Sequence, residues 1–255
     1  MSPYAWPVDA DAIVVVPTLV AGYALLQVWW PSSRPRRIAF LLSQLLLLAV
    51  FATPLETWAL HYLLAAHLLQ NVAVAEWAPG LAVYGISPAL ARILGQDPPG
   101  RTLTHPLVAL PIWLGTYFFW HVPWIYDTAL EHSTTLLHLE HASYFAAGML
   151  LWWPVVHGRF SDGTKAMYLF AAFVLASPLG LLLALLPHPV YTFYERAPHL
   201  WGLGHLTDQQ IAGLTMAVEQ AIVFFAVFAF YLSRFLRTEA IVGTFTESRR
   251  RAPHR

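Results

Sequence analysis

Long apolar stretches alternate with short polar stretches along nearly the whole chain. A transmembrane α-helix needs about 20 consecutive, mostly apolar residues. Stretches of about this length lie at 11–30, 38–55, 57–80, 106–127, 133–157, 165–187 and 209–235. The pattern predicts an all-α membrane protein: a seven-transmembrane-helix bundle over residues 1–237, followed by a basic cytoplasmic tail over 238–255.

The composition supports a membrane location and narrows the chemistry. The chain is 58% hydrophobic and only 11% charged, with a mean hydropathy of +0.54, whereas soluble domains carry about 25% charged residues. It contains no cysteine, which excludes disulfides and thiolate metal ligands. Any binding of a soft metal must therefore use histidine and methionine. The lipid bilayer is the expected surrounding, and no nucleic-acid partner is expected.

The basic residues predict how the bundle is oriented. Arg196 is the only one assigned to the N-terminal side of the bundle. All the others fall in the odd-numbered connections or toward the C-terminal tail, on the opposite side: Arg34, Arg36, Arg37, Arg92, Arg101, Arg159, Lys165, Arg234, Arg237, Arg249, Arg250, Arg251 and Arg255. Because arginine and lysine concentrate on the cytoplasmic side of membrane proteins, the N-terminus is predicted outside and the C-terminus inside.

This orientation predicts the depth of each histidine in the bilayer. The chain has 12 histidines, and the predicted spans place a subset of them, with one methionine, in the outer half of the bilayer: His67, His121, His138, His141 and Met216. His138 and His141 are three residues apart and therefore share a helix face. Neutral imidazole is the commonest metal ligand, and a thioether adds a preference for Cu(I). The set therefore predicts a copper site.

Two other interpretations of the histidines remain open. Histidine side chains also hydrogen-bond across membrane helices as structural contacts, which would make the protein a structural or accessory subunit without metal. Paired histidines from two helices can also ligate a b-type haem. Zinc-dependent hydrolysis is disfavoured because His138-Leu-Glu-His141 lacks the His-Glu-x-x-His spacing, and no catalytic residue is predicted.

The acidic and amide side chains inside the spans need partners as well. Glu140 points about 100° away from His141 on a helix, so we interpret it as an interhelical or second-sphere partner rather than a ligand. Glu219 is expected to bond to Gln70, Asn71 or a histidine. Asn71 is expected to bond to a side chain such as Glu219 or to a backbone carbonyl freed by a proline kink.

Four segments carry a resemblance to a known family. They are AHLLQNVAVAEWAPGLAVYG (66–85), HPLVALPIWLGTYFFWHVPWIYDTAL (105–130), HLEHASYFAAGMLLWWPVV (138–156) and DQQIAGLTM (208–216). The most specific pieces are Trp-His-x-Pro at 120–123, His-x-x-His at 138–141 and Asp-Gln at 208–209. On these motifs the chain resembles the multi-span CtaG family of cytochrome c oxidase assembly factors.

The resemblance implies a role in oxidase maturation, with copper handling as the chemistry and a haem-copper oxidase or another respiratory complex as the partner. It also implies a multi-pass protein of the bacterial inner membrane. The positions that match the family pattern are His67, His121, His138, His141, Asp208 and Met216. Two positions depart from it: Asn71 stands where the family usually has a second histidine, and Glu219 follows Met216 in the last span.

Overall fold

The computed structural model describes residues 2–7, 9, 11–132 and 134–251, with side chains through residue 239. These residues form α-helices joined by short connections, and no β-strand occurs among them. Two π-helical turns, Asp11–Val15 before α1 and Ala73–Trp77 between α4 and α5, interrupt the α-helical pattern.

The helices are α1 Val16–Trp29, α2 Arg34–Phe51, α3 Pro54–His61, α4 Leu64–Val72, α5 Ala78–Gly85, α6 Pro88–Leu94, α7 Pro98–Leu103, α8 Pro106–Trp120, α9 Pro123–His132, α10 Thr134–Val156, α11 Asp162–Leu185, α12 Thr192–Glu195 and α13 His205–Arg251.

Three helical stretches of the described chain are long and apolar enough to cross a membrane: Asp11–Trp29, Asp162–Leu185 and His205–Glu239. A fourth crossing results if α2 and α3, which meet at a 51° bend, form one broken span. The predicted all-helical membrane protein is confirmed to this extent. The number of seven spans and the orientation of the termini stay predictions.

The stretch predicted as a single third span at 57–80 is not one helix. It begins within α3, which ends at His61, and continues through α4, which begins at Leu64. A side chain from α13 sets this boundary, because Asp208 accepts hydrogen bonds from the backbone N–H groups of Leu64 and Ala65. In a continuous helix these two N–H groups would bond to carbonyl groups of the preceding turn. Their bonds to Asp208 therefore mark the start of a new helix.

The predicted fourth span at 106–127 is broken as well. Helix α8 ends at Trp120 and α9 begins at Pro123. Proline has no N–H to donate, and it disfavours helical geometry in the residue before it. His121 therefore lies at the C-terminal end of α8, and not one or two turns inside a continuous helix as its position in the predicted span implied.

Helix α13 supplies one wall of the interior through side chains spaced four residues apart. Asp208, Ala212, Met216, Gln220 and Phe224 are each at most 3% exposed. Residues with this spacing lie on one helix face. This buried face carries two polar side chains, Asp208 and Gln220, and polar groups in membrane helices normally face protein rather than lipid.

Two glycines allow the helices around this wall to approach closely. A Cβ atom on Gly213 of α13 would lie 2.4 Å from the carbonyl oxygen of Gly180 in α11. A Cβ atom on Gly148 of α10 would lie 2.2 Å from the carbonyl oxygen of Ala75 in the π turn. Small residues at helix interfaces permit such backbone contact in membrane bundles. Gly148 thereby brings α10 against the turn that carries Glu76.

Candidate functional site

Asp11, His138 and His141 form a group that we call the Asp11 cluster. Each offers one ligand atom, and these atoms lie within 4.8 Å of one another. Nδ1 of His141 is 2.9 Å from Oδ2 of Asp11, and Nδ1 of His138 is 3.1 Å from Oδ1. The first contact is a hydrogen bond. The second is close in distance but lacks hydrogen-bond geometry.

The local structure explains how the cluster forms. His138 and His141 lie one turn apart on α10 and therefore face the same way. Asp11 begins the π turn that leads into α1. The side chain of His138 is 37% exposed, while that of His141 is 5% exposed and contacts the ring of Phe51. The cluster thus has one accessible and one buried imidazole.

His67 does not belong to the Asp11 cluster. It is fully buried, and its Nδ1 lies 2.8 Å from the hydroxyl of Tyr194. That hydroxyl donates its proton to the carbonyl of Ala59 at 2.6 Å. Burial, together with the nearby carboxylate of Asp208, raises the pKa of Tyr194 well above its usual range, so the phenol keeps this proton. Nδ1 of His67 must therefore be the donor, and its Nε2 carries the lone pair.

His121 is held in the same tautomer by a different partner. Its Nδ1 lies 2.7 Å from the carbonyl oxygen of Tyr117, which can only accept. The hydroxyl of Tyr191 also bonds to the carbonyl of His121. Nε2 of His121 is buried and has no hydrogen-bond partner among the described residues. A histidine whose Nδ1–H is bound by a carbonyl or carboxylate, with Nε2 free, has the arrangement seen in metal-binding histidines.

Met216 and His121 meet at a small cavity, which we call the chamber. Its volume for a water-sized sphere is about 10 Å³, close to the minimum that one water molecule needs. The polar and sulfur-containing side chains that line it are Asn71, Glu76, Tyr117, His121, Tyr144 and Met216. This space is far smaller than a porphyrin, so the chamber gives no support to the haem interpretation.

Asp208 has a structural role in this arrangement. Its two carboxylate oxygens accept the N–H groups of Leu64 at 2.7 Å and of Ala65 at 3.1 Å. It therefore caps the N-terminus of α4 from another helix, where a negative charge is favoured by the helix dipole. The structure does not bring Asp208 into the Asp11 cluster, and its sequence neighbour Gln209 bonds instead to backbone groups, including the N–H of Val190.

The buried carboxyl groups have partners that differ in part from the predicted ones. Glu140 accepts a hydrogen bond from Asn71 at 3.0 Å, as an interhelical partner. Glu219 is bonded to the indole N–H of Trp77, so the predicted partners of Glu219 were wrong. Asn71 bonds to a glutamate side chain, as expected, but the glutamate is Glu140 and not Glu219. Trp77 donates to Glu219 because the π turn, which the sequence pattern did not predict, directs this residue toward α13.

The six predicted ligands are thus divided among separate places. His138 and His141 lie in the Asp11 cluster, His121 and Met216 line the chamber, His67 bonds to Tyr194, and Asp208 caps α4. The residue that the sequence analysis missed is Asp11. Its position just before the first apolar run was its only signal, and nothing in the local pattern related it to α10.

A protein-family model matches most of the chain. The model for the cytochrome c oxidase caa3 assembly factor matches residues 19–238. The chain belongs to the family of cytochrome c oxidase caa3 assembly factors. The match covers most of the chain and includes every residue that lines the chamber. No curated protein and no solved structure matches the chain.

Proposed function

We propose that this assembly factor is a non-enzymatic protein that binds copper at the Asp11 cluster and passes it toward a haem-copper oxidase. The observation that carries the proposal is the convergence of two imidazoles and one carboxylate within 4.8 Å. Imidazole suits copper and zinc, and mixed nitrogen and oxygen ligands suit Cu(II) in particular. Copper is the cargo in this proposal, and the protein supplies the ligands that hold it.

The geometry of the Asp11 cluster suits a site that loads and unloads. Coordination through Nδ1 of His141 and its hydrogen bond to Asp11 exclude one another, because both use the same atom. A cation must therefore compete with a proton for this position, which favours exchange over permanent retention. The partly exposed imidazole of His138 provides a first contact for an entering ion.

The proposal places the Asp11 cluster near the outer face of the bacterial inner membrane. This placement depends on the seven-span topology with the N-terminus outside, which is supported by the distribution of arginine and lysine. A reporter fused after Arg237 should be cytoplasmic, and one inserted near Arg196 should be external. The opposite result would move the Asp11 cluster to the cytoplasmic face and remove it from the proposed path.

The binding proposal is tested by metal content after purification in detergent. Wild type, Asp11→Asn, His141→Ala and the control His132→Ala are loaded with copper under identical conditions and desalted. His132 is a suitable control because its side chain is 70% exposed and pairs with Glu131 outside the Asp11 cluster. Loss of a ligand or of its carboxylate partner should lower copper affinity at least about tenfold, while the control remains like wild type.

Equal copper retention in all four proteins would show that the Asp11 cluster is not the binding site. If none of them binds copper or zinc above background, the histidines are packing groups, and the protein is better described as an accessory subunit of a respiratory complex. Oxidase maturation in cells carrying the same variants tests whether copper binding matters for assembly. If the histidines serve only packing, oxidase maturation should fall only where the amount of the assembly factor in the membrane also falls.

A further inference from the structure

The chamber contains several buried polar atoms that no described group satisfies. Nε2 of His121, Oδ1 of Asn71 and Oε2 of Glu76 have no hydrogen-bond partner among the described residues. Their residues are 5%, 3% and 0% exposed, respectively. Buried polar atoms are normally bonded, and exceptions indicate a water, an ion or a functional role. Three such groups around one small cavity point to an occupant.

The π turn explains why two of these groups face the same cavity. Asn71 and Glu76 are five residues apart, which on a regular α-helix would separate them by about 140°. The π turn Ala73–Trp77 inserts one extra residue between them. Glu76 therefore rotates back toward the face that carries Asn71. Single π turns of this kind are frequent at functional sites.

The charge of the interior favours a cation as the occupant. Glu76 is fully buried, and one of its oxygens accepts a hydrogen bond from Gln220 at 3.1 Å. Among the described residues, arginine forms its ion pairs at exposed positions, Arg196 with Glu131 and Arg234 with Asp162. Within the described part of the chain no basic side chain is paired with Glu76, and its neighbour is the carboxyl group of Glu219. A buried carboxylate needs either a proton or a neighbouring cation.

The other lining groups select the kind of cation. The free Nε2 lone pair of His121 is a good ligand for copper, and the thioether of Met216, which is 1% exposed, prefers soft Cu(I). A monovalent ion also matches the single negative charge that remains when the neighbouring carboxyl groups of Glu76 and Glu219 share one proton. We propose that the chamber is a second, deeper metal site that binds Cu(I) through Nε2 of His121 and the sulfur of Met216, with Glu76 balancing the charge.

The chamber lies close to the Asp11 cluster along α10. Tyr144 lines the chamber and follows His141 by three residues, a rise of about 4.5 Å on the same helix face. Its hydroxyl also lies 3.2 Å from Nδ1 of His121. The second site rests on the proposed function only for the origin of its copper, which would arrive from the Asp11 cluster. Binding of Cu(I) in the chamber does not itself require that route.

The test is X-ray absorption at the copper edge on the full-length protein, loaded with Cu(I) and ascorbate in detergent. Because the chain has no cysteine, any copper–sulfur scattering must come from methionine. Met216→Leu is nearly volume-conserving, so it should fold. Met149→Leu is the matched control, since Met149 is also packed against the core but does not line the chamber.

We expect copper–sulfur scattering in wild type and in Met149→Leu. Met216→Leu should lose it, with at least a tenfold loss of Cu(I) affinity measured by competition with a chromophoric chelator. His121→Ala should lower the affinity similarly. Absence of sulfur scattering in wild type, or its persistence in Met216→Leu, would overturn the proposal and leave a buried water as the occupant.

A second set of variants tests the chamber and the Asp11 cluster independently of one another. Asp11→Asn and His141→Ala should retain copper–sulfur scattering when Cu(I) is supplied in excess, because they leave the chamber ligands intact. If they lose Cu(II) binding but keep the sulfur signal, both proposals stand. If they bind Cu(II) like wild type while the sulfur signal depends on Met216, only the chamber is a copper site.

Discussion

The Asp11 cluster and the chamber use the same ligand type in opposite surroundings. In the Asp11 cluster, the side chain of His138 is 37% exposed and the carboxylate of Asp11 lies within 3.1 Å of both imidazoles. In the chamber, His121 and Met216 are 5% and 1% exposed, and several polar atoms have no partner among the described residues. The first group is partly exposed and bonded internally, whereas the second is buried and its polar atoms are only partly bonded.

The difference shows that burial, more than residue identity, sets what a histidine can do. A partly hydrated imidazole beside a carboxylate can exchange a proton or a divalent ion at low cost, because water remains available to both states. A dry imidazole next to a thioether, with its tautomer set by a carbonyl, is suited to a soft ion that needs few charges around it. Substitutions in the two regions are therefore expected to change Cu(I) binding and Cu(II) binding separately.

The largest effect is expected from overpacking the close contact between α10 and the π turn that carries Glu76. Gly148→Ala places a Cβ atom 2.2 Å from the carbonyl oxygen of Ala75, which forces α10 away from the π turn. Overpacking of this kind costs about 1–3 kcal/mol of stability. We expect a lower unfolding temperature in detergent and weaker Cu(I) binding, with little change in Cu(II) binding at the Asp11 cluster.

Gly115→Ala is the control for this change, because a Cβ atom at Gly115 meets nothing within 4 Å. It should match wild type in unfolding temperature and in both copper measurements. If Gly148→Ala instead weakens both sites equally, the two regions are mechanically one unit and the contrast between them is wrong.

A smaller effect, with the opposite sign, is expected from Asn71→His. An imidazole at this position can donate one N–H to Glu140, as the Asn71 amide does now, and direct its second nitrogen toward the chamber. A tautomer held in this way makes a competent ligand. We expect Cu(I) affinity to rise about tenfold, equivalent to about 1.4 kcal/mol, with Asp11-cluster binding unchanged.

Asn71→Gln controls for the loss of asparagine while retaining an amide, and it should not raise Cu(I) affinity. Chelator competition on the three proteins, purified side by side, measures the difference. An Asn71→His protein that gains Cu(II) affinity but no Cu(I) affinity would place residue 71 with the Asp11 cluster, contrary to the observed lining of the chamber.

The smallest effect concerns Asp208, which belongs to neither region. Removal of an N-terminal cap costs about 1 kcal/mol, so Asp208→Ala should lower stability modestly by freeing the N–H groups of Leu64 and Ala65. Copper content should stay at the wild-type level in both oxidation states. Asp208→Asn retains one acceptor and should be intermediate in thermal unfolding, whereas a direct ligand role would instead reduce metal content in both variants.

Several features of the molecule were predictable because they depend on local composition. An apolar stretch of membrane length must form a helix, since lipid offers its backbone no hydrogen-bond partners. The helices Asp11–Trp29, Asp162–Leu185 and His205–Glu239 follow directly from this rule. The pairing of His138 with His141 follows from their spacing, and the family motifs identified the assembly-factor family that the match over residues 19–238 shows.

The tertiary structure decided which distant groups meet, and this is where the sequence-based predictions were wrong or silent. The break before Leu64 depends on Asp208, 144 residues away, and the contact of Asp11 depends on a histidine 130 residues away. Hydropathy averages over about 20 residues and carries no information about such pairs. The partners of buried polar groups are selected by packing between helices, because in a dry interior each group must take whichever partner the bundle brings within reach.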